Sequence, residues 1–259
     1  MSEEKPKHIS YTQMNMYRKC PRQWEYRYIK GLKRPPGGAM IVGGASHEGI
    51  EEDMREKRKT GRNLRSSQVV DAFLASFDRK VDTEGEIVWD EKEPEPVAKD
   101  RGAAALEYYH RQRAFELDPI LIEQKFEMTF GEYTVRGVID LGETDGSLVD
   151  FKTGSRKRPA SIIHQDQQLI LYQMAKPDTT EIRMEVMLRY KTKEDFQVLA
   201  RKPATQTEIK IVKEDLIDTT NAMKRGRCFR TDPTNWWCSE KWCGYYDRCR
   251  KFKGKSKSK

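Results

Sequence analysis

The sequence predicts an α/β fold, a mixed β-sheet flanked by helices, with a helical region at one end of the chain and a cysteine-bearing segment at the other. Three observations point there. Apolar residues recur at helical spacing through the first part of the chain, and short alternating or apolar runs bounded by turn formers follow from Leu121 onward. Three cysteines then gather near the C-terminal end. The implied divisions are a helical region over 1–118, a sheet-bearing core over 119–226, a cysteine-rich segment over 227–249 and a basic, disordered tail over 250–259.

A chain of 259 residues can form one substantial domain or two small ones. Hydrophobic residues make up 36% and charged residues 35%, which suits a modest core and a wet surface. No apolar run approaches the roughly 20 residues needed to span a bilayer. The opening Met1 to Lys7 lacks the apolar stretch of a secretory signal, so an intracellular, cytoplasmic protein with no membrane partner is expected. Residues 250–259 hold six basic and no acidic residues, leaving the body with +2 of the net +8. Such an arm can touch nucleic acid or merely solubilise the chain.

The first helix begins at Ser10-Tyr11-Thr12-Gln13, a capping-box pattern, and Pro21 interrupts or restarts it. Trp24 and Tyr28 continue an aromatic stripe mixed with arginine, which suits a core face better than a base-stacking one. Val42 to His47 leads into a helix on which His47, Ile50 and Met54 share one stripe, with small residues ahead of the histidine that admit a close neighbour. Ser66 to Val81 reads as an amphipathic helix. Asp82 to Asp100, with eight acidic and two basic residues and two prolines, reads as a linker or mobile insertion. A helix follows from about Pro96 to Phe115, then a strand over Leu121 to Phe130 with Glu123 on the face opposite its apolar residues, where a solvated glutamate is favoured over one that approaches a metal. Beyond the hairpin described next come a helix over Ser161 to Lys176, strands over Ile182 to Tyr190 and Phe196 to Ala200, and a helix over Glu208 to Arg225.

The stretch Val138 to Gly154 is the organising element. Gly142 and Asp145-Gly146 separate two apolar runs and predict a β-hairpin. Side chains alternate along a strand, so Asp150 and Lys152 share a face while Val149 and Phe151 enter a core, and pairing can bring Asp140 to the charged face. Two carboxylates and an amine on rigid strands suit a hard divalent cation that activates water. Taken alone, an Asp-x-Lys strand is equally a structural ion pair. On the following helix Gln168 and Tyr172 are four apart and therefore neighbours. They can hold a sugar-phosphate backbone or form an ordinary polar face.

Cys238, Cys243 and Cys249 lie within twelve residues. In a chain without a secretion signal this points to metal rather than disulfides. A tetrahedral zinc or a 4Fe-4S cluster normally takes four thiolates, and both Cys20 and Cys228 are candidates for the fourth.

Together these stretches resemble the PD-(D/E)XK nuclease superfamily, and within it the RecB-like exonucleases with an iron-sulfur staple, relatives of which include the AddB nuclease domain and CRISPR-associated RecB-like nucleases. The matching pieces run in the family's order from Ser10 to Cys249: Cys20-Pro21-Arg22, Gly43 to His47, Gly137 to Asp140, Asp150 to Gly154, and Gln168 to Tyr172. The resemblance implies a restriction-endonuclease-like core. It further implies that His47, Asp140, Asp150 and the Phe151 carbonyl hold Mg2+ or Mn2+, that Asp140, Asp150 and Lys152 are catalytic, and that Gln168 and Tyr172 contact DNA. By the same resemblance Cys20, Cys238, Cys243 and Cys249 ligate a 4Fe-4S cluster, with zinc as the alternative. The four residues between Cys238 and Cys243, where relatives often have two, are a departure that bears on the cluster. The activity so implied is metal-dependent hydrolysis of DNA, on single-stranded ends or flaps, in repair, recombination or replication alongside proteins of those processes. The competing reading is a non-catalytic DNA-binding or assembly subunit.

Overall fold

A computed structural model describes residues 8–130, 133–190 and 194–250, so most of the basic tail lies outside the described residues. In chain order the elements are β1 (His8–Ser10), α1 (Tyr11–Lys19), α2 (Pro21–Trp24), a π-helical turn (Glu25–Ile29), α3 (Gly38–Thr60), α4 (Ser66–Glu84) and α5 (Glu95–Gln112). They continue as a 3-10 turn (Ala114–Glu116), β2 (Pro119–Phe130), β3 (Tyr133–Glu143), β4 (Leu148–Gly154), α6 (Ile162–Gln165), α7 (Gln167–Ala175), β5 (Ile182–Arg189), β6 (Glu194–Arg201), α8 (Gln206–Lys224) and α9 (Tyr246–Arg250). No described helix is long and apolar enough to cross a membrane. The chain forms two compact units, one of residues 1–34, 128–136 and 213–259, the other of residues 35–127 and 137–212.

In the second unit β3 and β4 pair antiparallel, β4 and β5 parallel, and β5 and β6 antiparallel, with β2 also on β3. The sheet is therefore mixed, as the sequence predicts. Helices cover both faces. On one, Val149 and Phe151 pack with Val42, Phe73, Leu106 and Tyr109 from α3, α4 and α5. On the other, Leu148, Met184, Val186 and Leu188 pack with Ile163, Leu169 and Tyr172 from α6 and α7. Each such side chain contributes about 1.5–3 kcal/mol by leaving water, which fixes β4 at the centre. Both faces being covered, Asp150 is buried although it lies on the charged side of its strand.

Helix α3 is longer than the sequence suggests. It starts at Gly38 and stops at Gly61, whose φ of +76° sends its N–H back to the Lys57 carbonyl in a left-handed cap. A β-carbon on Gly43 would lie 3.4 Å from the Thr153 hydroxyl, so this glycine lets α3 run close beside β4. The acidic stretch is shorter than predicted. It reduces to residues 85–94 between α4 and α5, and Trp89 stacks on Phe77 at 5.9 Å instead of floating free. The hairpin turn comprises residues 144–147, where Asp145 accepts from the Ser147 amide and Gly146 adopts φ +87°. Gly142 is not part of it. It lies within β3, where a β-carbon would meet Leu121 at 3.0 Å.

In the first unit Ser10 caps α1 by accepting from Gln13 N, while the Gln13 side-chain oxygen makes no return bond. His8–Ser10 pair parallel with Thr134–Arg136, a strand too short for periodicity to reveal. Trp24 is core, packed edge-on against Tyr17 at 5.4 Å, and Tyr28 is half-buried.

Candidate metal centre

The candidate residues of the second unit reach one place from four elements. Helix α3 supplies His47, β2 supplies Glu123, β3 supplies Asp140, and β4 supplies Asp150, Phe151 and Lys152. One ligand atom from each of His47, Glu123 and Asp140 lies within 4.8 Å of the others. The His47 Nδ1 is 3.7 Å from Asp140 Oδ2 and 3.9 Å from Glu123 Oε1. Its Nε2 is 2.9 Å from the Phe151 carbonyl oxygen. A carbonyl only accepts, so Nε2 carries a proton and a neutral ring keeps its lone pair on Nδ1, facing the two carboxylates. Phe151 thus lies on the ring nitrogen opposite the carboxylates, in the position from which a backbone carbonyl orients a metal-binding histidine.

The Phe151 backbone acts twice, because its amide also donates to Asp140 Oδ2 at 2.9 Å. What anchors Phe151 is the core on the face of the sheet covered by α3, α4 and α5. Its ring packs edge-on against Tyr109 at 6.1 Å, and the Tyr109 hydroxyl donates to the wholly buried Glu185 at 2.6 Å. Arg113 also pairs with Glu185, at 2.9 Å.

Asp150 is paired differently. Lys152 Nζ lies 2.7 and 2.6 Å from its two oxygens, and the Tyr172 hydroxyl is 3.4 Å from Oδ1. Gln168 Nε2 donates to that hydroxyl at 2.7 Å, so the helical pair forms a chain ending on the carboxylate. Tyr172 is 2% exposed; Gln168 is half-buried. The predicted single helix is broken here into α6 and α7 at Asp166, which accepts from the Gln168 amide as an N-cap. Asp166 is not among the residues that the sequence pattern singles out.

Four acids, Glu123, Asp140, Asp150 and Asp166, crowd this space with one amine. Asp140 is pushed up to about 7 by burial and then by the neighbouring Asp150, against the opposing pull of His47 and Lys152. Burial alone would lower His47, but Glu123 and Asp140 outweigh it and raise the imidazole above its ordinary value. Burial likewise opposes the charge on Lys152, which Asp150 and Asp140 raise on balance. Asp166 is raised by burial and by Asp150. The excess of negative charge and the carboxylate and imidazole donors suit a divalent cation.

Glu123 is the residue the sequence misplaced. Strict alternation puts it on the solvated face, but its φ of +46° breaks the pleat of β2 and swings its carboxylate toward His47. It is the single described non-glycine residue with positive φ. A glutamate held there costs of order 1–3 kcal/mol, and no pattern of residue types announces it.

In the first unit Cys20, Cys238, Cys243 and Cys249 line one concavity, together with Trp237, Tyr245 and Arg230. Cys228 does not line it. Arg230 Nε donates to Cys249 Sγ at 3.3 Å.

Among solved structures, the fold is similar to one described as "Putative exonuclease" from Eubacterium rectale, with 10% identity, a TM-score of 0.61 and coverage of 96% of this chain and 90% of that one. A second, SSO0001, is 12% identical over 93% of this chain and 95% of that one, with a TM-score of 0.37 that carries no weight. No curated protein matches the sequence. The family model for the PD-(D/E)XK nuclease superfamily matches residues 8–250, spanning all of the groups just described, and the chain belongs to that superfamily.

Proposed function

We propose that the protein is a metal-dependent deoxyribonuclease of the RecB-like exonuclease kind, acting on single-stranded DNA ends or flaps in repair, recombination or replication. The observation that carries this is the meeting of His47, Glu123 and Asp140 beside the Asp150–Lys152 pair. A bound Mg2+ or Mn2+ supplies positive charge that polarises the scissile phosphate and acidifies a water. His47, Asp140, Asp150 and Glu123 would hold it; the Phe151 carbonyl, a ligand by the family resemblance, meets the ring's other nitrogen instead. The histidine among oxygen donors favours manganese as a competitor of magnesium.

The chain's own groups do the remaining work. Lys152 places an ammonium beside the reacting phosphate, where it orients the attacking water and offsets developing charge. Tyr172 holds Asp150 through its hydroxyl, and Gln168, the more exposed of the two, contacts the strand. Phe151 fixes both Asp140 and His47 through one peptide unit. Labelled single strands blocked at the 5′ or the 3′ end test this reading. Manganese should support cleavage of one or both, and EDTA should stop it. A purified, folded chain that cuts neither would leave a binding or assembly role.

Cys20, Cys238, Cys243 and Cys249 are proposed to hold a 4Fe-4S cluster. Four thiols on one concavity fit such a group, and a donor on the Cys249 sulfur suits an anionic ligand. Tetrahedral zinc at about 2.3 Å from each sulfur would bring sulfurs to roughly 3.8 Å of one another. A 4Fe-4S cluster holds its four sulfurs farther apart than that, so the metal content of the purified protein separates the two. An anaerobic preparation should be brown with iron and sulfide in equal amounts; colourless protein with one zinc would sink the assignment.

A further inference from the structure

The cysteine-rich segment carries two large indoles on its surface instead of packing them. Trp236 is 64% and Trp242 55% exposed. They are not loosely placed. The ring centroids lie 5.4 Å apart at 89°, and Trp237 meets Trp236 at 5.7 Å and 83°. Short turns fix the backbone beneath them, with Cys238 N donating to Asn235 O at 2.8 Å and Cys243 N to Ser239 O at 2.8 Å. Cations sit on these rings. Lys19 Nζ is 5.6 Å from the centroid of Trp236 and 5.7 Å from that of Trp237, and Lys241 Nζ is 5.1 Å from that of Trp242. Each is within cation–π range.

Exposed indoles are costly unless something covers them. An apolar protein surface laid over this patch would strip water from two ammonium groups without pairing them. A nucleic-acid strand would not, because its bases stack on ring faces while its phosphates meet the lysines. A duplex keeps its base faces hidden in its own stack, so the match is to an unpaired strand.

We propose that Trp236 and Trp242, with Lys19 and Lys241, form a stacking platform for single-stranded nucleic acid, separate from the residues that cut it. The inference deepens the nuclease reading above and rests on its assignment of a nucleic-acid substrate.

The test uses the full chain in EDTA, where cleavage is silent, with a fluorescein-labelled oligo-dT strand followed by anisotropy. Replacing both residues, Trp236→Ala with Trp242→Ala, should weaken binding by about tenfold or more, given the value of base–aromatic stacking. Binding of a blunt duplex should not change. The Trp236→Phe with Trp242→Phe variant keeps aromatic faces and should bind nearly as wild type, which separates stacking from damage to the fold. Lys19→Ala should reduce the salt slope of binding by about one. Oligo-dT affinity unchanged in the alanine variant overturns the platform. So does wild-type self-association in sedimentation that the alanine variant loses, which assigns the face to protein contact. Cleavage in manganese is read separately. A chain that cuts, yet binds equally with and without the indoles, loses this inference and keeps the nuclease reading. A chain that never cuts, yet loses binding with the indoles, does the reverse.

Discussion

Asp150→Ala and Lys152→Ala should each abolish metal-dependent cleavage, with a loss of about a thousandfold or more, while the folded protein still binds a single strand. The size follows from geometry. Lys152 pairs with both Asp150 oxygens, and Asp150 is 1% exposed. Removing a positioned charge from such a low-dielectric site costs far more than in water. Because the two act together, the double variant should be scarcely worse than either single one. Binding survives because neither side chain is the main attraction for a phosphate backbone. Residual cutting by both purified variants at near wild-type rate would remove these residues from the mechanism. The conservative Lys152→Arg should fail as well, since the planar guanidinium cannot reproduce a compact ammonium against the same carboxylate.

Glu123 gives the second large effect, and it separates function from stability. Glu123→Ala and Glu123→Gly both remove the carboxylate near His47, so each should lower activity and manganese affinity by at least about tenfold. They differ in backbone. Glycine accepts φ +46° without penalty, whereas alanine keeps the strain. The glycine variant should therefore be the more stable of the two by about 1 kcal/mol in urea unfolding. A stability difference between two variants that have lost the same carboxylate is the signature of backbone strain at this position. Equal stability of the two variants would mean that β2 is not strained at this position.

How far the sequence reached depends on what each feature rests on. The hairpin was legible because β4 has Val149 and Phe151 alternating with Asp150 and Lys152, and period-two patterning is a local signal. His47 was legible as a member of a helical stripe, although its partners lie about a hundred residues away in the chain. The cysteine concavity was legible in part. Clustering marks Cys238, Cys243 and Cys249 and leaves the fourth open; the resemblance points to Cys20, and in the fold Cys20 lines the concavity while Cys228 does not. Three features left no local trace. The kink at Glu123 breaks the alternation from which its face was inferred. The break at Asp166 turns one predicted helix into two and makes this half-buried aspartate the cap of the second. The three-residue β1 owes its existence to Thr134–Arg136, which no window around His8 contains.

Crystals grown with manganese, with anomalous diffraction collected above the manganese absorption edge, measure the central claim most directly. The expected result is a peak in coordination contact with the His47 imidazole and the Asp140 carboxylate, with Lys152 beside it and not bound to it. An ion found away from both residues, or full cleavage by protein whose map holds no ion there, would contradict it.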